Sequence, residues 1–243
     1  MPDEITAAAN EHAHRVREMF AKIAARYDVL NHFLSGNVDK RWRRRVATEV
    51  GGYLPTTDAR VLDVACGTGD LSLTLFETTG ASIIGSDFCR PMLEIAARKA
   101  AIKVKGAIPF IEGDALRLPF SEGSFDAATI AFGLRNLADV GRGLEEMYRV
   151  LRPGGFIAVL EFSRPVVPGF RLLFQVYFTK LLPLVGGLVS GSRRAYEYLP
   201  NSVSKFLNQE ELVALMRQVG FSQVTYQNFT GGIAALHMGQ KPR

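Results

Sequence analysis

The 243-residue chain holds two cysteines, Cys66 and Cys89, and a single tryptophan. Two thiols are too few for a disulfide framework or a cysteine-based zinc site, and they suit a reducing compartment. The first 30 residues lack an apolar core segment and carry Asp3, Glu4, Glu11 and Glu18, which excludes a secretory signal and does not suit an acid-poor transit peptide. A long apolar run is also missing. The most apolar stretch, Leu172 to Ser190, is broken by Gln175, Lys180, Pro183 and Gly186-Gly187, so no membrane-spanning helix is expected. The sequence shows no internal repeat and no low-complexity tract. A cytoplasmic protein is the expectation.

What is present is an ordinary globular composition, 47% hydrophobic and 22% charged, with material for one large domain. Twenty-nine basic residues against 24 acidic ones give +5, a balance compatible with nucleic acid, an anionic membrane surface or neither. Residues 1–50 read as a helical cover, with Val16, Met19, Phe20 and Ile23 at helical spacing and a basic run from Lys40 to Arg45 around Trp42. From residue 59 to 163, short apolar runs alternate with helical patterns. Strands are expected over Arg60–Ala65, Ser82–Asp87, Pro109–Glu112, Phe125–Phe132 and Phe156–Glu161, and helices near Asp70–Thr78, Pro91–Lys99 and Asp139–Leu151. Such alternation predicts an α/β fold, a parallel sheet with helices on both faces. Residues 164–204 form a helical insertion after the fifth strand, whose five basic residues against Glu197 give a net +4. Residues 205–243 return to pattern, with a helix near Gln209–Val219 and two runs, Ser222–Phe229 and Ile233–Met238, that can pair as an antiparallel edge.

In an open parallel sheet, ligands bind beyond the carboxyl ends of the strands. The first strand ends in Asp63-Val64-Ala65-Cys66-Gly67-Thr68-Gly69-Asp70. A dinucleotide fingerprint would need glycine where Ser72 stands, and Asp63 and Asp70 would repel its pyrophosphate. S-adenosylmethionine makes the opposite demand, because its amino-acid end carries an ammonium and its centre a sulfonium. The Gly67-Thr68-Gly69 turn lets backbone approach that end, with Asp63 as the facing carboxylate. Asp87, twenty residues after Gly67, suits the ribose hydroxyls, and Asp114 beside Ala115 suits the adenine amine. At the fourth strand end, Ala131-Phe132-Gly133-Leu134-Arg135-Asn136 has neither the Asn/Asp-Pro-Pro-aromatic turn of amine methylation nor a Pro-Cys nucleophile. Arg135 and Asn136 offer donors to an oxygen-bearing substrate, or Arg135 pairs with an acid to hold the loop.

These residues, with the run Arg149 to Gly155 and Leu160-Glu161-Phe162-Ser163, resemble the quinone-biosynthesis C-methyltransferases that act on demethylmenaquinol and 2-polyprenyl-6-methoxy-benzoquinol. Flanking elements extend the resemblance: Tyr27-Asp28-Val29-Leu30-Asn31, Ser35 and Trp42 near the start, Tyr196 to Pro200 and Thr230 to His237 near the end. It implies a Rossmann-like methyltransferase sheet with an N-terminal lid, cofactor contacts at Thr68, Asp87, Asp114, Ala115 and Ala131, and substrate contacts at Tyr27, Asp28, Asn31 and Phe132. A ring carbon becomes nucleophilic when the adjacent hydroxyl loses its proton. Arg135 with Asn136 would steady that oxygen, and a water held near Arg135, Tyr196 or His237 would take the proton, with no choice among the three from sequence; no metal is needed. One departure stands out: the resemblance puts a histidine four residues after Ser35, and this chain has Asp39.

The expected partners are a polyprenylated quinol, an anionic membrane touched peripherally by the insertion through Arg171, Lys180, Arg193 and Arg194, and no nucleic acid; a homodimer is compatible. The competing readings are a small-molecule or RNA methyltransferase using the Lys40–Arg45 run with Trp42 as a stacking platform, and a cofactor-bound scaffold without turnover.

Overall fold

The structure, a computed structural model, describes residues 2–56, 58–167 and 193–243. Two helices come first, α1 (Pro2–Leu34) and α2 (Val38–Tyr53). The apolar runs then form β1 (Arg60–Val64), β2 (Ser82–Asp87), β3 (Phe110–Glu112), β4 (Phe125–Ala131) and β5 (Leu151–Phe162). Between them lie α3 (Asp70–Thr79), α4 (Arg90–Val104) and α5 (Val140–Val150). The chain ends with α6 (Arg193–Lys205), α7 (Gln209–Val219), β6 (Ser222–Phe229) and β7 (Ala234–Gln240).

The strands make one seven-stranded sheet of order β3-β2-β1-β4-β5-β7-β6. β1 to β5 are parallel, and β7 then β6 add antiparallel. Strand order reverses between β1 and β4, which opens a crevice at their carboxyl ends. Local signals set the helix ends: the Asp139 carboxylate accepts from the Arg142 N–H at 2.9 Å, and Asn208 with Glu211 closes a reciprocal capping box on α7.

Both faces of the sheet are covered. On one, Val46, Ala47 and Val50 of α2 meet Leu71 and Leu75 of α3; on the other, Leu144 and Met147 of α5 meet Leu212 and Met216 of α7. Val46, Val50 and Leu75 have no exposed surface, and each such side chain contributes about 1.5–3 kcal/mol. α2 is therefore part of the core, and the cover expected from residues 1–50 narrows to α1. β5 starts earlier than expected, at Leu151. Its pairing with β4 jumps from Leu151 to Phe156, so the Arg-Pro-Gly-Gly turn loops out of a strand already begun. Of the insertion, 168–192 lies outside the described residues, which takes in Arg171 and Lys180.

Candidate active site

A cleft with about 750 Å³ of unfilled space, part of it open to solvent, lies at the carboxyl ends of β1, β2 and β4. Gly67, Asp87, Phe88 and Met92 line it together with Ala115, Leu116, Ala131, Phe132 and Asn136. α1 closes it with Ala13, Phe20 and Tyr27, one stripe of a helix at seven-residue spacing.

The glycine turn bends through two left-handed residues, Gly67 at φ 55° and Gly69 at φ 80°. A Cβ at Gly67 would meet no atom within 4 Å, so a side chain there would enter the cleft; at Gly69 it would press on Ala96 and Phe110. Asp87 holds the turn. Its carboxylate accepts the Gly67 N–H and the Cys89 N–H, each at 2.8 Å, and still has lone pairs for a ligand's hydroxyls. Burial pushes this carboxyl up to about 6 against those backbone hydrogen bonds.

Asp63 is placed differently from the expectation. It is 1% exposed beneath the turn, and its carboxylate accepts Ser72 Oγ at 2.6 Å and Thr129 Oγ1 at 3.0 Å, which commits it to the scaffold. Burial raises it, too, to about 6. Asp114 sits exposed beside Ala115 at the rim, one oxygen taken by the Leu116 N–H at 2.9 Å. Thr68 turns toward α1 and donates to Asp28 at 2.5 Å. Lys99 of α4 donates to Asp28 at 2.8 Å and pairs with Asp70, so Asp28 serves to dock α1 rather than to meet a substrate.

Phe132 is left-handed at φ 58°, as is Ala65 at φ 50°. A bulky residue in that region is strained, and both line the cleft. The Phe132 carbonyl accepts from Arg135 Nη1 at 2.6 Å and from Asn136 Nδ2 at 3.2 Å. Arg135 is thus committed behind the wall: it also donates to Glu161 at 2.7 Å, and its ring neighbour is Phe162. The expectation of a guanidinium free to meet a ring oxygen is corrected, because burial requires a counter-charge and Glu161 supplies it. Asn136 stays on the wall, with its amide oxygen accepting from Tyr198 at 3.1 Å. Tyr27 shares a hydrogen bond with Asn31. Burial raises its hydroxyl, and the charges of Arg135 and Arg43 act against that rise.

His237 is removed from the cleft. It is 2% exposed beneath α7, with Nε2 at 3.1 Å from the Gln209 carbonyl oxygen, and burial pushes it down to about 4. The side chain of Tyr196 lies outside the described residues. Trp42 points inward, its indole donating to Thr230 at 3.1 Å and its ring against Phe132 and Phe162, which removes it as a platform for bases. Among the described residues, no group of three His, Cys, Asp or Glu side chains could hold a metal ion, and no helix is long and apolar enough to cross a membrane.

Residues 7–241 match the family described as the ubiE/COQ5 methyltransferase family. The chain belongs to that family. It is 51% identical to a demethylmenaquinone methyltransferase of Thermus thermophilus over 92% of its own length and all of the relative's. It is 45% identical to a ubiquinone/menaquinone biosynthesis C-methyltransferase UbiE of a Geobacter species, covering 96% of this chain and 99% of that one. Among solved structures, a SAM-dependent methyltransferase of Thermotoga maritima, described as a possible histamine N-methyltransferase, superposes with a TM-score of 0.66 at 20% identity, covering 92% and 98% of the two chains. That likeness is one of fold.

The cleft of this family member fits S-adenosylmethionine on its own geometry: an open Cβ position at Gly67, a carboxylate at Asp87, and apolar faces from Phe88, Met92 and Leu116 for a flat base. Several working residues carry no motif signal. Lys99 and Glu161 act through pairings between distant segments. The departure at Asp39 also has a structural answer: an imidazole does stand there, His32 of α1, with Nδ1 at 2.8 Å from the Asp39 carboxylate.

Proposed function

We propose that the chain moves a methyl group from S-adenosylmethionine to a ring carbon of a polyprenylated quinol, demethylmenaquinol becoming menaquinol. The observation that carries this reading is one cleft lined both by Asp87 and the Gly67 turn and by Tyr27, Phe132 and Asn136. Relatives named for demethylmenaquinone methylation share about half of its residues.

When bound, S-adenosylmethionine supplies an electrophilic methyl group. The chain's own work is to hold an aromatic carbon about 3 Å from that group, exclude water and steady charge on the ring oxygen. Phe132, Phe20 and Tyr27 offer flat apolar faces for the ring. The Tyr27 hydroxyl and the Asn136 amide are the polar groups beside it, Tyr27 oriented by Asn31 and Asn136 by Tyr198. Arg135 serves as a positioning residue: it fixes the Phe132 carbonyl and lends its positive field to Tyr27. The prenyl tail comes from a membrane, and residues 164–204 with Arg171, Lys180, Arg193 and Arg194 make the peripheral contact on its cytoplasmic side.

The test is a side-by-side assay of purified protein with reduced demethylmenaquinone and with the 2-polyprenyl-6-methoxy-benzoquinol. Methylation of the naphthoquinol, and none of either oxidised quinone, is expected. Failure with both quinols overturns the reading; preference for the benzoquinol moves the substrate to the ubiquinone precursor, in line with the double naming of the Geobacter relative.

A further inference from the structure

His32 occupies an unusual position, because both of its ring nitrogens face carboxylates. Nδ1 lies 2.8 Å from Asp39 Oδ2 on α2, and Nε2 lies 3.5 Å from Asp70 Oδ2 at the start of α3. The side chain is 21% exposed, so water screens these contacts little. For each to be attractive, both nitrogens must carry a proton, which is the imidazolium form. The neighbours complete an alternation of sign. Asp39 is also bound by Arg43 and by Ser35 Oγ at 2.6 Å; Asp70 is bound by Lys99, and Lys99 by Asp28 at 2.8 Å. Read along the chain of contacts, Arg43, Asp39, His32, Asp70, Lys99 and Asp28 run positive, negative, positive, negative, positive, negative when His32 is charged. A neutral His32 breaks the alternation at its centre and sets a bare ring nitrogen against an oxygen.

The two ends of this chain of contacts reach the glycine turn and the Phe132 ring. Asp28 accepts from Thr68 in the cofactor turn, and Arg43 lies over the Phe132 ring at 5.7 Å. His32 and Asp28 are one turn apart on α1, the helix that carries Tyr27 and Phe20 to the wall.

We propose that His32 is a positioning residue that works as an imidazolium, clamping α1 to α2 and to the cofactor turn. The inference uses the cofactor reading above only in naming the turn, and its main test needs no ligand.

That test compares wild type with His32→Gln, which cannot donate to both carboxylates, and His32→Arg, which keeps a cation at every working pH. Amide hydrogen exchange across residues 20–34, corrected for intrinsic rates, should be about tenfold faster in the Gln variant than in wild type at pH 6.5, with the Arg variant near wild type. Calorimetry with S-adenosylmethionine should follow the same order, severalfold weaker for Gln. Equal exchange in all three proteins overturns the proposal. So does equal loss in both variants, which would assign His32 a shape-filling role.

Discussion

The Arg135 guanidinium donates to Glu161 Oε1 at 2.7 Å, with the two side chains 6% and 1% exposed. Glu161 also accepts the backbone N–H groups of Arg135 at 3.2 Å and Phe162 at 2.8 Å. Removing one partner of a buried pair costs about 3–5 kcal/mol, since the other charge stays behind. Arg135→Ala should therefore lower the melting temperature by roughly 10 °C, at about 2–4 °C per kcal/mol for a chain of this size. Its methyl-transfer rate, measured well below that melt, should fall far more than cofactor affinity, because the Phe132 wall loses its anchor. Normal turnover in a folded variant would limit Arg135 to stability.

Asp87→Ala should weaken S-adenosylmethionine by about ten- to hundredfold, the loss of a charged acceptor worth roughly 1.5–3 kcal/mol. In the free protein this carboxyl titrates at about 6, and hydroxyl donors favour its ionised form. Binding then lowers its pKa, so affinity is full above about 6 and is lost as pH falls through that value. Calorimetry at stepped pH should show this limb in wild type and a flat profile for Asp87→Asn.

Gly67→Val should abolish detectable cofactor binding. Valine is an outlier at φ 55°, and its methyl groups would stand in the cleft. The strain itself costs about 1–3 kcal/mol, so the folded protein should survive in a thermal melt. Wild-type affinity in the variant would show that the turn does not approach the ligand.

His237 is neutral when buried, with a folded value of about 4 against 6.5 in the unfolded chain. The unfolded state then binds the extra proton, so stability falls as pH drops from 6.5 toward 4, by about 3 kcal/mol at 1.36 per unit. Asp63 and Asp87, raised to about 6, act in the opposite sense between 6 and 3.8. Urea melts at pH 7, 5 and 4 should show a shallower acid limb for His237→Gln than for wild type. Activity of that variant at pH 7 should be kept, given the distance of its ring from the cleft.

Wild-type protein should co-sediment with anionic vesicles at low salt and leave them as salt is added. Replacing Arg171, Lys180, Arg193 and Arg194 together should remove most of that binding, at about 1 kcal/mol per charge, and spare activity on a short-tailed quinol. Equal sedimentation of the two proteins would separate the insertion from the membrane.

The sheet was legible because its signals are local. Apolar runs ended by Gly, Asp or Ser mark β1 to β4 within a residue or two, and the glycine turn announces itself with Asp87 twenty positions on. The site was legible at Gly67, Asp87, Ala115, Ala131, Phe132 and Asn136, which all line the cleft. Charged groups were not. A carboxylate at a strand end reads the same whether it faces a ligand or a neighbour, and only the packing separates Asp87 from Asp63. Arg135 waits on Glu161, 26 residues away, and Asp28 on Lys99, 71 away, pairings that no spacing rule reports. The Asp39 departure reads as a missing histidine in one dimension, while in three dimensions His32, seven residues earlier, sets an imidazole against the Asp39 carboxylate.

At the left-handed Phe132, stability and turnover ask for the same ring. Glycine at this position would release the backbone by a few tenths to about 1 kcal/mol, but loss of a buried ring packed on Phe162 and Trp42 costs about 3–5 kcal/mol. A library selected on heat resistance would therefore keep the ring, as would one selected on catalysis. Thermostabilising this enzyme is therefore better begun on the far edge of the sheet, at β6 and β7, where no residue of the cleft wall is spent.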